Sequence, residues 1–183
     1  MKRLLFLVSG AALCASVAAP ARADDAPPPA PQSLSYDDAS VHYTAPDGWT
    51  RVEVPQGDDA VGALFVKAIS RTETRTISLK IKPDDSTLEG LDQSTEIEIR
   101  TGGTDVFIDK RRQVTLANGM PAWFISFSSG DDMSRMRFYT YIVTDTKRSV
   151  IISYGGRNGM VEENDAKAAL ASLAVVVYPE TRR

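Results

Sequence analysis

Alternation of apolar and polar residues dominates the chain between positions 41 and 154. Val41, Tyr43 and Ala45 alternate with Ser40, His42 and Thr44, and Ile77, Leu79 and Ile81 alternate with Thr76, Ser78, Lys80 and Lys82. Side chains along a strand point to opposite faces in turn, so a period of two reads as a half-buried strand. Between the first such run and Trp49 stands Pro46-Asp47-Gly48, a turn sequence. It predicts a hairpin whose second strand runs from Trp49 to Val54, with Trp49 as a core anchor. A second pair covers Ala63 to Ile69 and Thr74 to Lys82, ended by Pro83. Four further strands are predicted at about Val106 to Leu116, Met120 to Ser128, Arg135 to Thr144 and Ser149 to Tyr154. Asn118-Gly119, which favours a tight hairpin turn, joins the first two of these.

Two segments depart from this period. Leu88, Leu91, Thr95 and Ile99 fall roughly on one helical face, Ser86 and Glu89 have the spacing of a capping box, and Gly102-Gly103 supplies a stop. A helix is therefore expected from about Thr87 to Thr101. Ala166, Ala169, Leu170 and Leu173 form an apolar stripe for a closing helix over about Glu162 to Leu173. The plan is an α+β fold: an antiparallel sheet of about seven or eight strands with one inserted helix and one C-terminal helix.

Tyr43, Pro46, Gly48 and Trp49, then Asn118-Gly119-Met120-Pro121-Ala122-Trp123, then the closing Ala169-Leu170-Ala171-Ser172-Leu173 give a pattern that resembles the Mog/PsbP/DcrB-like superfamily over about residues 36 to 177. The resemblance implies a PsbP-like α/β/α sandwich around an antiparallel sheet. It also implies a binding protein, since members of that superfamily mostly bind other proteins, and it supplies no catalytic set to carry over.

The ends of the chain add a location. Lys2 and Arg3 precede an apolar run from Leu4 to Ala19, and Ala21-Arg22-Ala23 has the small-x-small pattern of a cleavage site. Residues 1–23 read as a secretory signal peptide cut after Ala23, which directs the protein to the periplasm or out of the cell. The apolar run is shorter than the roughly 20 residues a membrane span needs. Cys14 follows Leu13, where a lipobox wants a small residue, so a lipid anchor is not expected. Residues 24–35 include three consecutive prolines and no core-forming run, and read as an extended linker. One domain is expected over residues 36–178, followed by a short tail over 179–183.

Removal of the leader takes Lys2, Arg3 and Arg22 away and moves the formal charge from −3 to −6. An acidic exported chain has no electrostatic reason to seek nucleic acid or an anionic membrane, and no stable membrane insertion is expected. Cys14 is the only cysteine, so the domain must stand on a hydrophobic core without disulfides.

Candidate chemistry is sparse. His42 is the only histidine, which leaves zinc sites and Ser-His-Asp triads without their usual ligands. The acid pairs Asp37-Asp38, Asp58-Asp59, Asp84-Asp85 and Asp131-Asp132 lie in predicted loops without calcium-loop spacing. Gly155-Gly156-Arg157-Asn158-Gly159 lacks the Gly-Lys-Ser/Thr of a phosphate loop and reads as a flexible connection. No catalytic, metal or cofactor-binding residue is assigned, and no cofactor is expected. Lys110, Arg111 and Arg112 on one strand and Arg135 and Arg137 on another concentrate positive charge, and are the expected contact with an acidic partner. The expected function is a non-enzymatic binding or accessory protein of the bacterial cell envelope engaging a protein partner. A carboxylate-based hydrolase and a small apolar-ligand carrier are the alternatives.

Overall fold

A computed structural model describes residues 41–52, 61–144 and 147–175, together with the backbone of a short strand at 33–35. The leader, its cleavage site, most of the proline-rich linker, the tail and the acid pairs at 37–38 and 58–59 lie outside the described residues.

The elements follow the chain as β1 (Ser33–Ser35), β2 (Val41–Thr44), β3 (Thr50–Val52), β4 (Val61–Ala68), β5 (Thr74–Pro83), α1 (Leu88–Gly102), β6 (Phe107–Thr115), β7 (Pro121–Ser129), β8 (Met136–Thr144), β9 (Arg148–Arg157), α2 (Glu163–Leu170) and β10 (Ala174–Val175). Seven strands form one antiparallel sheet in the order β3-β4-β5-β9-β8-β7-β6. After β5 the chain crosses by way of α1 to the far edge, enters β6, and returns as a meander that sets β9 against β5. The α+β fold expected from the alternation is the fold observed.

The sheet has two apolar faces. One carries Phe65, Ile77, Leu79, Phe124, Tyr141, Val143, Val150 and Ile152, buried beneath β2 and α2. The other carries Ile125 and Ile142, buried against Leu91 of α1, with Ile99, Ile108, Trp123 and Ile151 at the margin. Helices therefore cover opposite faces, α1 over β7 and β8, α2 over β9.

Three expectations are corrected. The Pro46-Asp47-Gly48 turn does not close a hairpin: β2 pairs with β1 and β10 in a separate three-stranded sheet, while β3 pairs with β4. Long-range bonds decide this. The Tyr43 hydroxyl donates to the Ala169 carbonyl at 2.8 Å in the core, and Ser172 bonds the backbone of Thr44, fastening β2 to the chain that leaves α2. Secondly, α1 is not capped by a Ser86–Glu89 box. Thr87 is the N-cap, its hydroxyl accepting from the Gly90 amide at 3.2 Å, while the Ser86 amide donates to Asp84 Oδ1 at 2.9 Å. Thirdly, Gly155 and Gly156 are the end of β9, not a loose connection. A Cβ at Gly155 would stand 2.6 Å from the Phe138 ring, and one at Gly156 2.5 Å from Val161, so both glycines are set by close packing on the two faces.

Trp49 is half-buried: it packs at the edge of the main core with its ring 6.1 Å from that of Tyr154. Asn118-Gly119 forms the β6–β7 turn as expected, with the Asn118 side chain accepting from the Met120 amide at 3.1 Å.

Candidate functional site

The five cations singled out in the sequence occupy two neighbouring regions of the sheet, and each already holds a carboxylate of this chain. β6 is an edge strand with a bulge between Ile108 and Lys110. Alternation sends Lys110 and Arg112 towards α2, where both reach Glu163, at 2.8 and 2.6 Å. Arg111 points to the other face and meets Asp92 and Glu96 of α1; its Nε lies 2.7 Å from Asp92 Oδ2, and its Nη1 2.7 Å from Glu96 Oε2. Arg137 bonds Asp109, the bulge residue, which also accepts from Ser126 at 2.8 Å. Arg135 spans to Asp132 at 3.4 Å. The cluster is thus split between faces and paired within the chain, Lys110 and Arg112 sharing the single carboxylate of Glu163. It fastens an edge strand to both helices, a job basic residues at an edge share with deterring unwanted strand pairing.

Asp92 carries no signal in the sequence beyond its position, and it is the only carboxylate buried among the described residues, 1% exposed. Burial of a charge is costly unless it is paired and hydrogen-bonded, and Arg111 supplies both while its guanidinium carbon lies 5.4 Å from the centre of the Trp123 ring. Asp131 likewise serves the fold, since one of its oxygens accepts from the Met133 and Ser134 amides and from the Ser134 hydroxyl, closing the β7–β8 turn. Those bonds, first of all the one with the Ser134 side chain, lower its pKa. His42 projects to the exposed side of β2, as its place in the alternation predicts. Among the described residues no three His, Cys, Asp or Glu side chains gather as a metal site would require.

An open depression of about 240 Å³ lies on the α2 face, near the turn between β4 and β5. Trp49, Ile69, Tyr154 and Ala169 give it an apolar lining, and Lys67, Arg75 and Asp165 stand among them. Arg75 is its hub. One terminal nitrogen donates to the Tyr154 hydroxyl at 2.9 Å and to Asp165 at 3.3 Å, and the other to the Met160 carbonyl at 2.9 Å. Its Nε stands 3.5 Å from Glu73 Oε1, and neither buried atom has a hydrogen-bond partner. Burial raises the Tyr154 phenol above its usual pKa, against the lowering effect of Arg75. Lys67 differs from Arg75 in being loosely held, by a long bond of 3.4 Å to the Asp47 carbonyl.

Four exposed apolar side chains stand at one end of the large sheet. Ile69 in the β4–β5 turn, Phe107 at the start of β6, Met133 in the β7–β8 turn and Met160 after β9 are 43, 61, 88 and 53% exposed. The register places all four at the same end: Ala68 pairs with Thr74, Phe107 with Ser128, and Met136 with both Ser129 and Arg157. The depression opens beside this rim through Ile69.

This architecture, a seven-stranded antiparallel sheet with a helix on each face, defines an α+β sandwich class of fold. In particular it is the PsbP/DcrB-like fold. The solved structures it matches include the cyanobacterial PsbP of Synechocystis sp. PCC 6803, at 15% identity and a TM-score of 0.53 over 79% of this chain and 92% of that one. They also include LpqN of Mycobacterium tuberculosis, involved in cell envelope biogenesis, at 14% identity and 0.54 over 78% and 90%. PA94 of Pseudomonas aeruginosa, a protein of unknown function, matches at 14% and 0.52 over 81% and 98%. No family model and no curated protein sequence matches the chain.

Proposed function

We propose that this is an exported, non-enzymatic accessory protein of the bacterial cell envelope that works by holding a protein partner at one end of its large sheet. The observation that carries the reading is the apolar rim. Of the six large apolar side chains exposed among the described residues, four, Ile69, Phe107, Met133 and Met160, fall at that end. Single exposed apolar residues are ordinary, whereas a group of them with methionine, aromatic and arginine neighbours has the composition of an interface core. Export is supported by the basic and apolar leader with its Ala21-Arg22-Ala23 pattern, and an envelope role by the likeness to LpqN. No helix among the described residues is long and apolar enough to cross a membrane. The five cations, on β6, on β8 and in the turn before β8, serve the fold first, because each is engaged by a carboxylate; Arg135, in that turn at the rim, is the one placed to add a polar contact.

The test is co-purification from envelope extract. The wild-type protein should retain a partner that Phe107→Ser/Met160→Ser loses, with unchanged circular dichroism, and intact mass should give an N-terminus at Asp24. Equal recovery of every bound protein by both forms would contradict the rim as the contact.

A further inference from the structure

We infer that the depression beside Trp49 is a pocket for the C-terminal residue of the partner: an apolar side chain packs against Trp49 and Ile69, and its α-carboxylate is met by the Lys67 ammonium. The inference deepens the protein-partner reading and rests on it.

Size comes first. At about 240 Å³ the space falls below the roughly 300–1,000 Å³ of small-molecule pockets. It suits one side chain rather than a whole cofactor or metabolite. Its walls select an apolar one: the Trp49 and Tyr154 rings meet edge to face at 61°, and Ile69 lies 43% exposed at the mouth. Trp49, half-buried beside a small recess and backed by the buried Tyr154 ring, is the kind of aromatic side chain on which interfaces concentrate their binding energy.

Charge then fixes the rest. Arg75 is committed to Tyr154, Asp165, the Met160 carbonyl and Glu73, so its positive charge is matched by two carboxylates. Lys67 stands at the same depression with the Asp47 carbonyl 3.4 Å away and in no ion pair among the described residues, the nearby Asp165 being held by Arg75. The ligand group that complements an ammonium so placed is an anion. A space one side chain deep with a cation at its side asks for apolar bulk and carboxylate on one residue, and in a protein that is a chain terminus.

The probes are a short acetylated Gly-Ser peptide ending in phenylalanine with a free carboxylate, the same peptide as its C-terminal amide, and the free-acid peptide ending in glycine. Each is titrated into the ¹⁵N-labelled full chain, and the Trp49 indole and Ile69 amide signals are followed. The free acid should saturate both signals and bind about three- to fivefold more tightly than the amide, the scale of a half-exposed ion pair. The glycine peptide should leave Trp49 unmoved. Lys67→Gln should bring the acid-to-amide ratio to about one, and Lys67→Arg should keep it above one, with spectra otherwise unchanged. Equal affinity for acid and amide in the wild type, a preference that survives Lys67→Gln, or no shift with any peptide each overturns the assignment. The rim reading is judged separately by the co-purification above, which does not involve Lys67.

Discussion

Arg111 and Asp92 show how much one pair can carry. Asp92 is buried on the inner face of α1, and Arg111 reaches both of its oxygens from β6 while also touching Glu96. Removing the arginine strands a buried charge, which typically costs more than removing both partners. Arg111→Ala should therefore lower stability by about 3 kcal/mol in urea unfolding. Asp92→Ala should cost less, because Glu96 keeps the guanidinium paired. The double variant should be more stable than Arg111→Ala alone, and additive losses in that cycle would show that the pair is not coupled. Charge reversal at Arg111 is a poor probe of partner binding for the same reason, since it sets a third carboxylate against Asp92 and Glu96.

Glu163 ties elements together. It opens α2 and takes Lys110 and Arg112 from the edge strand β6, together with Lys167 from its own helix at 3.1 Å. The hydrogen bond from Lys110 is the largest cause holding its carboxyl down from an ordinary 4.5 to about 2, burial opposes it, and Lys167 and Arg112 add to it. A depressed acid contributes stability that is present above its unfolded pKa and is lost as pH falls through the folded value. Wild type should exceed Glu163→Gln by about 2 kcal/mol at pH 6. That advantage should shrink below about pH 4.5 and vanish near pH 2; a difference independent of pH would remove Glu163 from this role. The elements themselves were readable: the period-two runs of β5 to β9 and the helical stripes of α1 and α2 fall within a few residues of their expected bounds, apart from β9, which runs on through Gly155 and Gly156 to Arg157. Local alternation could not show which strands pair. β2 belongs to a second sheet because Tyr43 and Thr44 bond residues more than a hundred positions away, and nothing in the Pro-Asp-Gly turn records that.

At the scale of the molecule, the candidate site was less legible than the fold, although a signal was there. Lys67 and Arg75 share the parity of Phe65 and Ile77, so alternation assigns them to the covered face, and Asp92 falls on the stripe of Leu88, Thr95 and Ile99. Charged residues at inward positions break the pattern that otherwise specifies the fold, and such breaks gather at functional or strained places. The basic run at 110–112 was conspicuous by composition, yet each of its side chains is held by a carboxylate of α1 or α2. The rim is invisible along the sequence because its four apolar residues are scattered over more than ninety positions and converge only when the strands align. That end of the sheet is the centre of the functional account, and site-specific photo-crosslinking in intact cells tests it most directly. A photoreactive residue placed at Met133 or Met160 should form a discrete adduct with one envelope protein, while the same group at Ile97, 62% exposed on α1, should form none. Adducts from Ile97 with none from either rim position would contradict the account.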